Sequence, residues 1–257
     1  MVGDFVEFQP NEYNKDKYII SKLLPRENCL VRPPIANLEK LFILICPKPE
    51  PDLILVDKLL IYALQNDLTP YIVINKSDIA DQDFISDIIK QYEPVVEKVI
   101  VVSAKKQENL FELKEELKNS FSAFAGQSAV GKSTLLNNIF EGLNLRTNDL
   151  SKIERGKHTT RQCEIFTFED GIKIADTVGF SMLDLNEIKP LELHSYYIEF
   201  DNYAEDCKFK NCTHINENAR SCGVIRGLND GEISQDRYDR YVNIYSELKE
   251  IWEKKYD

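Results

Sequence analysis

The sequence is poor in cysteine, in long apolar runs and in basic charge, and each shortage excludes a class of protein. Six cysteines in 257 residues are too few and too unevenly placed for a disulfide framework. Aliphatic runs such as Leu41 to Cys46 are far below the roughly 20 residues a membrane helix requires, and Met1 opens no basic-then-apolar leader, so a cytoplasmic chain with no membrane partner is expected. Lys and Arg number 32 against 43 Asp and Glu, a net charge of −11. That excludes a general nucleic-acid coat, because non-specific affinity for phosphate backbones comes from excess positive charge. Any RNA contact must be local. Two segments could supply it: residues 152–161, with Lys152, Arg155, Lys157 and Arg161, and residues 207–226, with Lys208, Lys210, Arg220 and Arg226. The alternative for both is a solvated surface.

What is present is 43% apolar and 29% charged residues, the mixture of a globular chain able to bury one large core. Residues 1–34 read as β-hairpin material, with Val2, Phe5, Val6 and Phe8 answered by Tyr18-Ile19-Ile20 across a polar Asn11 to Lys17. Pro33-Pro34 reads as an extended linker. Short aliphatic strands then alternate with amphipathic helices, the pattern of a mostly parallel α/β sheet covered on both faces. Strands are expected at Leu41 to Cys46, Tyr71 to Asn75, Val99 to Ser103, Ser122 to Ala125, Glu164 to Phe168 and Ile172 to Ala175. Helices are expected near 52–66, 82–92, 108–119 and 132–142. Past residue 200 strand signals stop. The chain closes on a helix whose Tyr238, Tyr241, Ile244, Tyr245, Leu248, Ile251 and Trp252 share one buried face. Cys29, Cys46 and Cys163 are scattered and read as small buried hydrophobes.

Between those elements lie the parts of a nucleotide site. Gly126-Gln127-Ser128-Ala129-Val130-Gly131-Lys132-Ser133 fits a phosphate loop, with an apolar strand before it and the helix former Thr134-Leu135-Leu136 after it. Its backbone N–H groups and the following helix N-terminus would face phosphate, Lys132 would reach the β- and γ-phosphates, and Ser133 would ligate Mg²⁺. A ligand-free glycine turn is the alternative. Asn75-Lys76-Ser77-Asp78 ends an aliphatic strand. Asp78 can accept from both the N1–H and the amine of guanine, whereas adenine would leave that carboxylate facing an acceptor. The Lys76 stem can lie over the base, and Asn75 can tie its loop to the phosphate loop. Ser103-Ala104-Lys105 follows as a second base-side element. Both base-side elements precede the phosphate loop, the reverse of the usual order in switch GTPases.

Asp176-Thr177-Val178-Gly179 resembles the switch element whose Asp holds Mg²⁺ and whose Gly meets the γ-phosphate. Gly156-Lys157-His158-Thr159-Thr160 is a polar loop with Thr159 and Thr160 available to close the Mg²⁺ shell. Phe180 stands where Ras-like enzymes use a water-orienting Gln, so His158 is the candidate catalytic group beside Lys132. His158 could instead contact RNA phosphate or bond locally. Cys207, Cys212, His214 and Cys222 form a Cys₃His set in a strandless segment, which suits a structural, tetrahedral Zn²⁺. Reduced cysteines in a loop are the alternative.

Together, the reversed motif order, these loop sequences and the Cys/His set resemble the RsgA family, circularly permuted GTPases of bacterial small-ribosomal-subunit maturation. The resemblance runs from about residue 2 to the C-terminus. It implies a partial N-terminal OB-fold (1–34), a circularly permuted P-loop GTPase domain of α/β class (35–200) and a C-terminal, mainly helical zinc domain (201–257). It also implies a monomer that binds GTP and GDP, contacts the small subunit and its rRNA, and hydrolyses GTP faster in the subunit's presence. Val178 stands where the family usually has Pro, and Ala129 where it often has Gly. Seven residues rather than five separate His214 from Cys222. Two rivals fit parts of the pattern: a signalling switch acting on proteins, in keeping with the acidic charge, and an ATP-dependent kinase or ligase, disfavoured by Asn75 to Asp78.

Overall fold

The computed structural model describes residues 1–11, 14–140, 143, 163–176, 185 and 187–256. The chain begins with an antiparallel hairpin of β1 (Val6–Asn11) and β2 (Asn14–Leu23), whose Phe8 and Tyr18 rings meet edge-on at 5.0 Å on an exposed face. The expected polar stretch after Asn11 is largely strand, because the register pairs Asn11 with Asn14 and leaves little loop between them. Pro33-Pro34 is not an extended linker. The Arg32-Pro33 peptide is cis, and the prolines form a tight turn that folds β4 (Ile35–Ala36) back on β3 (Cys29–Leu30). Leu30, Ile35 and Leu38 are then fully buried in the main core.

Side-chain alternation explains the centre of the molecule. In β5 (Lys40–Ile45), Leu41, Ile43 and Ile45 enter one apolar cluster, while Phe42 and Leu44 enter another on the opposite face. A strand buried on both faces belongs inside a parallel sheet. β5 pairs in parallel with β6 (Thr69–Ile74) on one side and with β8 (Phe121–Gly126) on the other. β7 (Lys98–Val101) adds beyond β6, β10 (Lys173–Asp176) beyond β8, and β9 (Glu164–Thr167) closes that edge antiparallel. The order is therefore β7-β6-β5-β8-β10-β9.

Helices α1 (Leu53–Gln65) and α2 (Gln82–Tyr92) cover the face of Leu41, and α3 (Leu110–Leu117) and α4 (Lys132–Ile139) cover the face of Phe42. Asp52 and Asp81 accept hydrogen bonds from the N–H groups of Leu55 and Phe84, which starts α1 and α2 where the sequence expected them. α3 is shorter than expected because Asn109 and Asn119, one at each margin, both take left-handed backbone. Two residues separate Lys118 from β8, so the base-side half runs directly into the strand of the phosphate loop. Among the three scattered cysteines only Cys46 is buried; Cys163 is partly covered and Cys29 is exposed, because the short β3 edge turns it outward.

The C-terminal part contains 3₁₀ helices over Pro190–Tyr196 and Ile198–Phe200, then α5 (Asp201–Ala204), α6 (Gly223–Asn229) and α7 (Gln235–Tyr256). Tyr238, Tyr241, Ile244 and Leu248 of α7 lie in a third apolar cluster, which also takes Ile61 from α1. The aromatic stripe of α7 is thus packing. Beside it lies an ionic network that pattern reading did not find. Asp57 of α1, 1% exposed, accepts from Arg237 Nη1 at 2.8 Å, Arg240 Nε at 2.7 Å and the Tyr92 hydroxyl at 2.9 Å. Glu199 accepts from Arg237 Nε on the other side. Burial, then the Asp57 carboxylate, pushes the Tyr92 phenol well above its usual range, so it stays a donor. At the rim, Lys58 Nζ contacts Glu247 at 2.6 Å.

Candidate nucleotide site and metal centre

The five parallel strands end at the same edge of the sheet, so the described residues that follow or end them emerge there. Asn75 follows β6, Ser103 follows β7, Gly126 ends β8 and Asp176 ends β10. β5 and β8 are neighbours from which the chain proceeds in opposite directions, and open α/β sheets bind ligands in the crevice at such a switch point.

The phosphate loop needs backbone that most residues avoid. Gly126 has φ 142° and Gly131 has φ 93°, and a Cβ on Gly131 would lie 2.6 Å from Asn75 Nδ2. Ala129 also takes a left-handed φ of 65°, which explains on physical grounds why glycine suits that position. Lys132 and Ser133 open α4, while Ser128, Ala129 and Thr134 are exposed. Gln127 Oε1 accepts from Asp52 N–H at 3.1 Å and ties the loop to the start of α1.

The base-side loops are fastened to the phosphate loop by side chains. Asn75 is 1% exposed; its Nδ2 donates to Val130 O at 2.9 Å, and its Oδ1 accepts from Ala104 N–H at 3.2 Å. Lys76, at a left-handed φ of 62°, donates from Nζ to Ala129 O at 2.8 Å and to Lys48 O at 2.7 Å. Ser103 Oγ donates to Asp78 Oδ1 at 2.7 Å and accepts from Lys106 N–H at 3.1 Å, which orients the carboxylate. Ser77 starts a short turn and donates its N–H to Val102 O at 3.1 Å. These loops enclose a cavity of about 280 Å³ lined by Asn75, Lys76, Asp78, Ile79, Ala104, Lys105, Gly131 and Thr134. Its lining joins the three motifs that the sequence reading placed in one site. Asn138, on α4, also reaches this region, donating to Ala104 O at 2.7 Å. No motif contains it, and its only sequence signal is a polar residue on the surface of the helix after the phosphate loop.

His158, Thr159, Thr160 and Gly179, together with the basic segment 152–161, lie outside the described residues. Of Asp176 only the backbone is described; it ends β10, which pairs with β8 through Ala175 and Ala123.

Cys207, Cys212, His214 and Cys222 converge, their donor atoms all within 4.8 Å of one another. Cys207 Sγ lies 3.8 Å from Cys222 Sγ, and His214 Nδ1 lies 3.6 Å and 3.3 Å from those two sulfurs. Bonds of about 2.3 Å to sulfur around a tetrahedral centre give edges of about 3.7 Å, so the donor set fits a single four-coordinate cation. The longer His214-to-Cys222 spacing is absorbed by the irregular loop before α6. Burial holds the His214 imidazole down to about 4, with His194 adding to the effect, so it presents the neutral form a metal takes. Gly223 and Ile225 aim N–H groups at Cys207 Sγ and Cys222 Sγ, each at 3.4 Å, as donors to thiolate ligands do. The hydroxyls of Tyr238 and Tyr241 donate to His214 O and Thr213 O at 2.7 Å and 2.6 Å, anchoring the ligand loop to α7. Lys208, Lys210, Arg220 and Arg226 around the cluster are exposed, Arg226 paired with Asp206.

Comparison with known proteins gives a consistent result. A family model described as RsgA GTPase matches residues 23–186. A protein of Ruminiclostridium cellulolyticum named small ribosomal subunit biogenesis GTPase RsgA is 42% identical over 251 residues, covering 97% of this chain and 81% of that protein. One of the same name from Thermotoga maritima is 38% identical, covering 96% and 83%. Among solved structures, YjeQ from Thermotoga maritima superposes with a TM-score of 0.83 at 36% identity, covering 96% of this chain and 84% of that one. YloQ, described as a circularly permuted GTPase, gives 0.77 at 31% identity, covering 97% and 80%.

Proposed function

The chain belongs to the RsgA GTPase family, and from that membership we propose that it hydrolyses GTP to GDP and phosphate in late maturation of the small ribosomal subunit, faster in the subunit's presence. The observation that carries this reading is the joining of Asn75, Lys76, Asp78, Ala104, Lys105 and Gly131 around one cavity at the C-terminal edge of the parallel sheet. Asp78, held by Ser103, accepts from the N1–H and amine of guanine. Lys76 lays its stem along the base while its Nζ stays on the carbonyls of Ala129 in the phosphate loop and Lys48 after β5. The phosphates take the N–H groups of residues 126–133, the N-terminal end of α4 and the Lys132 ammonium.

Ser133, Thr159 and Asp176 are the residues that would hold Mg²⁺, which when bound neutralises phosphate charge. Ser133 on the first turn of α4 and Asp176 at the end of a strand paired with β8 are compatible with that set. His158 orients the attacking water, replacing the Gln that Phe180 displaces. Zn²⁺ is the cation for the Cys₃His cluster, as its four soft and borderline donors with no open position favour a structural site. Lys208, Lys210 and Arg220 on that module, with segment 152–161, contact rRNA locally on an otherwise acidic protein. The protein acts as a cytoplasmic monomer.

Base selection gives a direct check. Asp78→Asn replaces one acceptor oxygen with an amide donor that opposes the donors of guanine. GDP affinity should fall about a hundredfold, equivalent to roughly 3 kcal/mol. Xanthosine diphosphate, with a carbonyl where guanine has its amine, should gain affinity. Fluorescence titration with the two nucleotides reads both effects, and an unchanged GDP affinity would remove Asp78 from the base site.

A further inference from the structure

We propose that Asn138 is a positioning residue for guanine-nucleotide binding, holding the Ala104–Lys105 peptide in place along the base cavity. The inference rests on the nucleotide-site reading above. Ala104 is 4% exposed, and its two backbone polar groups are held from opposite halves of the site. Its N–H goes to Asn75 Oδ1 after β6, and its carbonyl takes the Asn138 amide from α4. Asn75 and Lys76 reach from the base side to the phosphate loop, whereas Asn138 reaches back from the helix behind that loop. It is a return tie from α4 to the base-side loop, as Gln127 is from the phosphate loop to the start of α1.

The geometry of the peptide unit makes this tie directional. In a planar trans peptide, C=O and N–H point opposite ways, so fixing Ala104 O toward α4 turns Lys105 N–H away from that helix. Ala104 and Lys105 both line the cavity, as does Thr134, one helical turn before Asn138. Losing the tie would let this peptide rotate, and ligand binding would have to restore its orientation at a cost in affinity.

A merely structural role predicts a lower melting temperature with unchanged nucleotide affinity, whereas helix propensity works against any such loss. Asn138 is an exposed helix residue, and Asn is a poorer helix former than Ala because its side chain competes for backbone groups. Asn138→Ala should therefore leave the nucleotide-free protein as stable as the parent or slightly more so. Positioning predicts instead that the dissociation constants of GDP and a GTP analogue rise together by about three- to tenfold, the loss of roughly one hydrogen bond. The rate constant of hydrolysis at saturating GTP should stay within about twofold, because the reacting phosphate is held elsewhere.

The test titrates fluorescent GDP into the parent chain, Asn138→Ala and the nearly isosteric Asn138→Asp, which offers no amide donor, and measures the melting temperature of each without nucleotide. Weaker binding by both variants, with the Ala variant melting no lower than the parent, is expected. Should the Ala variant melt lower, weakened binding by an Asp variant of parental melting temperature supports the inference, and parental binding overturns it. Parental affinity in a folded Ala variant also overturns it. Failure of the parent itself to bind GDP would instead overturn the guanine-site reading.

Discussion

Removing the cation from the Cys207, Cys212, His214 and Cys222 cluster should unfold the segment that carries it while the parallel sheet stays folded. The ligand segment contains no strand, and between α5 and α6 its backbone is irregular. What holds it is the convergence of four buried or partly buried donors, together with the hydroxyls of Tyr238 and Tyr241 on its carbonyls. A structural zinc in small modules supplies about 10–16 kcal/mol of binding free energy, as much as the whole stability of a typical domain. Without it, three thiols and an imidazole remain in a space made for ionised sulfur. Burial already pushes the Cys212 and Cys222 thiols above their usual range, so they would stay protonated and the segment would lose its organising centre. Chelation, or Cys222→Ser, should release one Zn²⁺ per chain. Hydrogen exchange should become fast over residues 205–230 and stay slow in β5, β6 and β8. A chain that contains no metal and keeps its protection there would contradict the structural-metal reading.

Asp57→Ala should be the most damaging single substitution in the interface between α1 and α7. Arg237 and Arg240 are 3% and 8% exposed, and Asp57 is the carboxylate they share. Its removal leaves two guanidinium groups near each other with Glu199 as the one carboxylate partner among the described residues. Breaking a buried pair costs about 3–5 kcal/mol, because the stranded charge keeps its desolvation penalty. The loss should be read as a lowered urea midpoint. The network is also expected to be non-additive. Replacing Asp57, Arg237 and Arg240 together with apolar residues of similar volume should cost less than Asp57→Ala alone. Equal or larger loss in the triple variant would mean that these charges stabilise through more than mutual neutralisation.

The two results differ in how far the sequence foretold them. The Cys₃His spacing was legible because metal ligation imposes residue types at short separations in one segment. The strands were legible for a similar reason: a central parallel strand must be apolar on both faces, and Leu41 to Cys46 or Tyr71 to Asn75 satisfy that locally. Asp57, Arg237 and Arg240 were not legible. An acid on one helix and two bases about 180 positions later carry no local signal, and on helical patterns they read as solvated faces. Asn138 was hidden in the same way, since its partner is a backbone carbonyl that no side-chain motif encodes. The Pro33-Pro34 turn was misread because the linker argument considered the fixed φ of proline but not the apolar Leu30 and Ile35 on either side, whose burial favours a tight reversal. Cys29 failed for a related reason, as a two-residue strand leaves one of its side chains outside.

The reversed order of motifs also gains a physical meaning. With α3 running directly into β8, the base-side half is complete before the phosphate loop is made, and the chain beyond β10 is free to build the metal-bearing module. That module packs on α1, whose N-cap residue Asp52 donates its N–H to Gln127 of the phosphate loop. The nucleotide site and the metal-bearing module are therefore parts of one packed unit, so the proposed contact of the exposed Lys208, Lys210 and Arg220 with rRNA would act on a structure continuous with the phosphate loop. The most direct test measures GTP hydrolysis by the purified chain alone, with isolated small ribosomal subunits, and with large subunits as a control. Hydrolysis that is slow alone and accelerated at least tenfold by small subunits only is the predicted result; a rate unaffected by small subunits would contradict the proposed function.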